Sequence, residues 1–192
     1  MAKLYFYYSS MNAGKSTALL QSNYNYLERG MKTILFTSKD DVRDGKNKIN
    51  SRIGISKKSN TFDGKSNIFT EVQKYHLKEN ISCVLVDEAQ FLTKKHVRQL
   101  SRIVDDFKIP VLAYGIRTDF KGELFEGSKY LLAWSDTIKE LKTICHCGSK
   151  ATMVLRVDEK GQVETTGKQL EVGGNERYVP LCRKHFFNRK IN

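Results

Sequence analysis

The sequence predicts an α/β protein: a layered domain with a mostly parallel sheet, followed by a small metal-binding unit. Three observations carry that expectation. Short β-favouring runs at residues 4–8, 33–37, 81–86 and 110–114 alternate with segments of helical period, as strands joined by crossover helices do. The run Ile-Ser-Cys-Val-Leu-Val at 81–86 is of strand length and nearly continuous in apolar character, which a strand covered on both faces requires. After about residue 143 the alternation stops, and cysteines, glycines and β-favouring segments take over.

The first strand, 4–8, is an aromatic-rich run that ends in Ser9 and Ser10. A helix follows over about 16–29, because Leu19, Leu20, Tyr24 and Leu27 recur at helical spacing and Gly30 stands where a left-handed residue stops a helix. Residues 33–37 form the second strand. From 38 to about 66 the chain is rich in Lys, Asp, Asn, Ser and Gly without a sustained period, and it reads as a mobile surface excursion. Residues 72–77 suggest a helix before the strand at 81–86. Val97, Leu100, Ile103, Val104 and Phe107 mark the apolar face of another helix, and residues 110–114 give a further buried strand. We expect a boundary near 142, dividing the chain into 1–142 and 143–192, with no flexible linker, repeat or low-complexity tract.

Among the 192 residues, 40% are hydrophobic and 28% charged, which suits a folded protein and excludes a disordered one. No apolar run approaches the roughly 20 residues of a membrane span, and the opening residues lack a signal core, so a cytoplasmic location is expected. The formal charge of +12 invites a nucleic-acid partner. However, lysines such as Lys57, Lys58, Lys94 and Lys95 are spread along the chain, so a solvated basic surface is favoured over a dedicated polymer track.

The segment Ser9-Ser10-Met11-Asn12-Ala13-Gly14-Lys15-Ser16 lies between a predicted strand and helix, the setting a phosphate-binding P-loop requires. Its main-chain N–H groups can surround phosphate oxygens, Lys15 can neutralise charge at the β and γ phosphates, and Ser16 can offer a hydroxyl to Mg²⁺. This makes the first unit P-loop NTPase-type. Ser9 replaces the usual first glycine, which bears on the tight first turn but removes no phosphate-contacting group. At 83–88, Cys-Val-Leu-Val-Asp-Glu is an apolar strand ending in two acids, at the edge where open α/β sheets bind ligands. Asp87 is the candidate to support magnesium, and Glu88 the candidate base for the oxygen that attacks the γ-phosphate. Alone, a Gly-Lys-Ser or two acids after a strand are common by chance; together they point to nucleotide chemistry.

Cys145, Cys147, Cys182 and His185 would make a closed, four-ligand structural Zn²⁺ site. The first pair is Cys-x-Cys, and His146 competes as a ligand, although its ring would point away if both flanking cysteines bind. Cys83 reads as an ordinary core residue.

The combined order is more specific than any one motif: the P-loop, Asp87-Glu88-Ala89-Gln90-Phe91, Thr118-Asp119-Phe120, the cysteine pair, Gly173-Gly174-Asn175-Glu176-Arg177-Tyr178, then Cys182 and His185. Over nearly the whole chain it resembles the zinc-containing thymidine kinase family, the bacterial branch most closely. That resemblance implies transfer of the γ-phosphoryl of ATP to the 5′-hydroxyl of thymidine. It makes Glu88 the general base, with Lys15 the catalytic cation, and places Gln90 beside the acid. It puts Met11, Phe91, Ile116, Phe120 and Phe125 around the base, and Asp41 and Arg43 near the phosphates. Val172, Gly173, Gly174, Asn175 and Tyr178 match a lasso that folds over the nucleoside and is held by zinc. The resemblance also implies a homotetramer inhibited by thymidine triphosphate. From the residues alone, ordinary packing accounts for the aromatics, and two other classes stay open: a nucleic-acid-stimulated ATPase with a zinc module, and a zinc-stapled adaptor that binds ATP without turnover.

Overall fold

The computed structural model describes residues 1–40, 47–169 and 177–192. Among these, strands β1 (Leu4–Ser9) and β2 (Lys32–Ser38) flank helix α1 (Lys15–Glu28). Gly30, at φ 71°, closes α1: its N–H donates to the Leu27 carbonyl at 2.9 Å and that of Met31 to Tyr26 at 3.0 Å, the paired bonds of a left-handed helix stop. A hairpin of β3 (Lys48–Asn50) and β4 (Ser56–Lys58) precedes β5 (Asn60–Phe62). Helix α2 (Ile68–Glu79), β6 (Ile81–Val86), helix α3 (Lys94–Phe107), β7 (Val111–Ile116), helix α4 (Glu126–Trp134) and β8 (Thr137–Glu140) complete the layered part.

The central sheet has six strands in the order β5-β2-β6-β7-β1-β8, and every neighbouring pair is parallel. Alternate residues of its strands enter two apolar cores. Phe6, Phe36, Val84 and Val86 join Leu100 and Ile103 on one face, while Leu35, Cys83, Leu85 and Tyr114 join Leu19 and Leu20 on the other. That two-sided burial is why 81–86 reads as a continuous apolar run rather than an alternation. Fully burying a side chain such as Phe6 or Phe36 stabilises by about 1.5–3 kcal/mol, before entropy is counted. Because the strands are parallel, the C-terminal ends of β1, β7 and β6 share one edge of the sheet. The chain leaves β1 at Ser9, β7 at Ile116 and β6 into Asp87, three neighbouring exits at about 4.8 Å per strand.

A second sheet follows: β9 (Met153–Val157) lies between β10 (Val163–Glu164) and β11 (Tyr178–Leu181), antiparallel to both, and helix α5 (Arg183–Phe187) packs beside it. Its apolar cluster is small, with Cys145, Ala151, Leu155, Leu181 and Phe186 buried. The Ser10 hydroxyl donates to the Ala151 carbonyl at 3.3 Å and that of Thr143 to Asn12 at 3.4 Å, joining this unit to the loop after β1.

Two expectations need correction, and two elements were not expected at all. The stretch 38–66 is not a featureless excursion, since β5 is an edge strand of the central sheet and β3–β4 a hairpin. Three-residue strands carry too few side chains to establish a period, and Phe62 alone of β5 is buried. Tyr24 and Leu27 stay exposed, and α1 instead buries Asn23, whose side-chain oxygen accepts from the Thr33 hydroxyl at 2.6 Å. Helix α4 and strand β8 had no sequence signal strong enough to name; β8 is an edge strand without a fully buried residue.

Candidate active site

The loop after β1 turns on two left-handed residues, Asn12 at φ 63° and Gly14 at φ 72°, and delivers Lys15 and Ser16 to the first turn of α1. The Lys15 ammonium donates to the Ser9 hydroxyl at 3.0 Å and to the Ser10 carbonyl at 2.9 Å, while the Ser9 hydroxyl donates to Ser10 at 2.7 Å. Ser9 is buried and accommodated within β1, so the missing glycine leaves the turn intact. Met11 and Ala13 are half-buried and Asn12 is exposed.

Asp87 is 4% exposed at the end of β6, its N–H donating to the Phe36 carbonyl at 2.8 Å. Burial, then the neighbouring Glu88 charge, pushes its carboxyl up to about 7, against hydrogen bonds from the Ser16 side chain and the Glu88 N–H and the positive charge of Lys15. A buried carboxylate beside the Ser16 hydroxyl and the Lys15 charge is the donor set a divalent cation would meet. Glu88 is half-buried and left-handed at φ 51°, a conformation a non-glycine residue holds only where its surroundings impose it. Those surroundings are visible. The Gln90 amide donates to a Glu88 carboxylate oxygen, and its own carbonyl accepts the Ile116 N–H at 3.2 Å, linking the acid to the end of β7.

Two glycines bring the neighbouring elements close. A Cβ on Gly115 would lie 2.9 Å from the Gln90 side-chain oxygen and 3.0 Å from its backbone nitrogen, and one on Gly127 2.4 Å from the Ala89 backbone carbonyl, so β7 and α4 press on the single turn that follows Glu88, Ala89–Phe91. Phe91 and the buried Phe125 then meet edge-on, ring centres 6.0 Å apart. Ile116 is half-buried and Phe120 buried. Asp41, Arg43, Val172, Gly173, Gly174 and Asn175 lie outside the described residues; Tyr178 is half-buried at the start of β11.

Cys145, Cys147, Cys182 and His185 converge, their ligand atoms all within 4.8 Å of one another. His185 Nδ1 is 3.3 Å from Cys145 Sγ and 3.5 Å from Cys182 Sγ, and Cys147 and Cys182 sulfurs are 3.9 Å apart. Tetrahedral zinc with bonds of about 2.3 Å needs sulfurs roughly 3.8 Å apart, so the group could hold that ion. Hydrogen bonds donated by the Ser149 side chain and backbone bring the Cys147 thiol down to about 7, towards the thiolate a metal takes. His146 does not point away: its ring stacks on His185 with centroids 4.3 Å apart. Cys83 is fully buried, and burial pushes its thiol up to about 12.

Two residues of the site had no role from the sequence. Asp119 is buried and accepts the N–H groups of Lys121 and Glu123 at 2.8 and 2.9 Å, fixing the turn that carries Phe120. Arg156, 3% exposed in β9, stacks its guanidinium 3.9 Å over the Phe120 ring. A lone arginine in Met-Val-Leu-Arg-Val was the available signal, and a strand period by itself does not say what it faces.

The whole chain was compared with known proteins. The thymidine kinase family model matches residues 2–186. The thymidine kinase of Mannheimia succiniciproducens is 59% identical over 186 residues, covering 97% of this chain and 95% of that protein. Those of Escherichia coli K12 and Shigella dysenteriae are each 60% identical over 186 residues, covering 97% of this chain and 91% of theirs. At that identity and coverage, the chain belongs to the thymidine kinase family.

Proposed function

We propose that this protein transfers the γ-phosphoryl group of ATP to the 5′-hydroxyl of thymidine, forming thymidine monophosphate and ADP. The observation that carries the reading is the shared sheet edge, where the phosphate loop after β1 and the Asp87-Glu88 pair after β6 flank the end of β7. Lys15 and the loop N–H groups bind and orient the triphosphate. Glu88, held by Gln90, takes the proton of the 5′-hydroxyl as its oxygen bonds to the γ-phosphorus. The bond from that phosphorus to the β–γ bridging oxygen breaks, and ADP leaves with the electron pair. A magnesium ion held through Ser16 and Asp87 would neutralise charge on the β- and γ-phosphate oxygens.

In the same reading Met11, Phe91, Ile116, Phe120 and Phe125 enclose the base, Tyr178 meets the nucleoside, and residues 172–175 cover it, as the family resemblance implies. Cys145, Cys147, Cys182 and His185 hold structural zinc, supported by their convergence. The division into a nucleotide unit, 1–142, and a zinc-held unit, 143–192, is supported by the separate sheet and apolar cluster of the latter. A cytoplasmic homotetramer inhibited by thymidine triphosphate completes the reading. Among the described residues, no helix is long and apolar enough to cross a membrane.

ATP labelled at its γ position, incubated with thymidine, other deoxynucleosides or single-stranded DNA, tests the reading. Labelled thymidine monophosphate should form only with thymidine present. Release of labelled inorganic phosphate on adding DNA, with none on thymidine, would instead identify a polymer-stimulated ATPase.

A further inference from the structure

Arg156 is an expensive residue for its position. It is buried within β9, whose neighbouring Leu155 and Val157 are buried on the opposite face. Burying a guanidinium demands partners for its donors, and replacing such ion pairs by apolar groups is often neutral or stabilising. Four partners are described. Glu164 accepts from Nε, the Lys168 carbonyl from Nη1 at 3.1 Å and the Thr166 carbonyl from Nη2 at 3.4 Å, while Tyr178 hydrogen-bonds to the same side chain. Glu164 also accepts from Arg177, whose Nε donates to the Val157 carbonyl at 2.9 Å. Gly167 makes room: at φ 125° it has a conformation that side chains rarely adopt, and a Cβ there would lie 2.4 Å from Nη2. With its edge so occupied, the flat face of the guanidinium lies 3.9 Å over Phe120.

We infer that Arg156 is a positioning residue for the nucleoside, holding the Phe120 ring and Tyr178 where they meet the substrate. The inference rests on the reading that Phe120 and Tyr178 line the thymidine site. Arg156 acts through both, from the second sheet. A planar, multiply hydrogen-bonded cation is needed, because a lysine ammonium neither stacks its plane on a ring nor reaches several acceptors in fixed directions.

Steady-state kinetics of Arg156→Met and Arg156→Lys, beside Phe120→Leu, test it. Both arginine variants should raise the KM for thymidine about 10-fold or more, with the KM for ATP and bound zinc close to those of the parent protein and a lower but still cooperative melt, since Glu164 loses a partner. A general structural defect would instead move both KM values or release the zinc, and would overturn the inference. If Phe120→Leu raises the thymidine KM while Arg156→Met leaves it unchanged, the inference fails and the site reading stands; if neither variant changes it, both fail. Full rescue by lysine would also overturn the stacking role. Should Arg156→Met not fold, Gly167→Ala displaces the guanidinium while keeping its charge. It should raise the thymidine KM alone, and an unchanged value in the folded variant would contradict the inference.

Discussion

The phosphate loop and the two acids stand on a parallel sheet with apolar cores on both faces, whereas the described residues between Cys145 and Phe187 pack around a small cluster tied together by polar side chains. In the first region backbone conformation places the chemistry: Asn12, Gly14 and Glu88 are all left-handed, held by the sheet and by close contacts at Gly115 and Gly127. In the second, Arg156 and Glu164 link β9 to β10, and Cys145, Cys147, Cys182 and His185 converge into a group that could hold a metal. Single polar side chains of the first region should therefore be removable with loss of chemistry but not of fold. In the second, their removal should loosen substrate binding.

The largest effect expected is that of Lys15→Ala, which removes the positive charge in the phosphate loop. Transfer should fall about 10³-fold with an unchanged circular dichroism melt, because the side chain is part-buried and bonds to Ser9 and Ser10 of its own loop, outside both apolar cores. Near-normal activity would take Lys15 out of the mechanism. Glu88→Gln keeps the size and hydrogen-bonding capacity but loses the base, so kcat should drop about 10²-fold while binding of a non-hydrolysable ATP analogue persists. Lost analogue affinity with a normal kcat would make Glu88 a ligand-positioning group.

Asp87→Asn separates fold from function in the same region. Its carboxyl is raised from an ordinary value near 3.8 to about 7, so the folded, nucleotide-free protein binds the proton more tightly than the unfolded chain. Stability from this group therefore declines as pH rises from about 4 to 7, and the deficit persists above. The variant lacks that deficit and should melt a few degrees higher than the parent at pH 8, by about 2–4 °C for each kcal/mol in a chain of this size, and alike at pH 4. Its phosphoryl transfer should still be impaired. A lower melting point at pH 8 would mean that Asp87 is stabilised by partners beyond those named. The smallest effect belongs to Ser9→Gly, which restores the common P-loop residue. Activity should stay within about threefold, since Lys15 keeps its bond to the Ser10 carbonyl.

The contrast also explains what the sequence disclosed. Residues 81–86, the Gly30 helix stop and the α3 face were legible because each is a local pattern, a run, a conformational requirement or a period, that the core then satisfies. The phosphate loop and the acids were legible for the same reason. Strand β5 was not, because three residues carry no period and its place beside β2 is a long-range pairing. Arg156 was not, because a guanidinium in a strand gains its meaning from Phe120, Glu164 and Tyr178, which only the fold brings to it. The cysteine spacing announced a ligand set without revealing that His146 stacks on His185.

That the second region contributes to thymidine binding and not to ATP binding is tested most directly by calorimetry on Cys182→Ser, with zinc measured in the same sample. A serine hydroxyl is a poor substitute for a thiolate, so bound zinc should fall from about one per chain towards none. Thymidine affinity should then fall about 10-fold or more, while that for an ATP analogue stays within about threefold, because the released segment bears an ordering cost on every thymidine encounter. Zinc loss with unchanged thymidine affinity, or an equal loss of both affinities, would contradict the account.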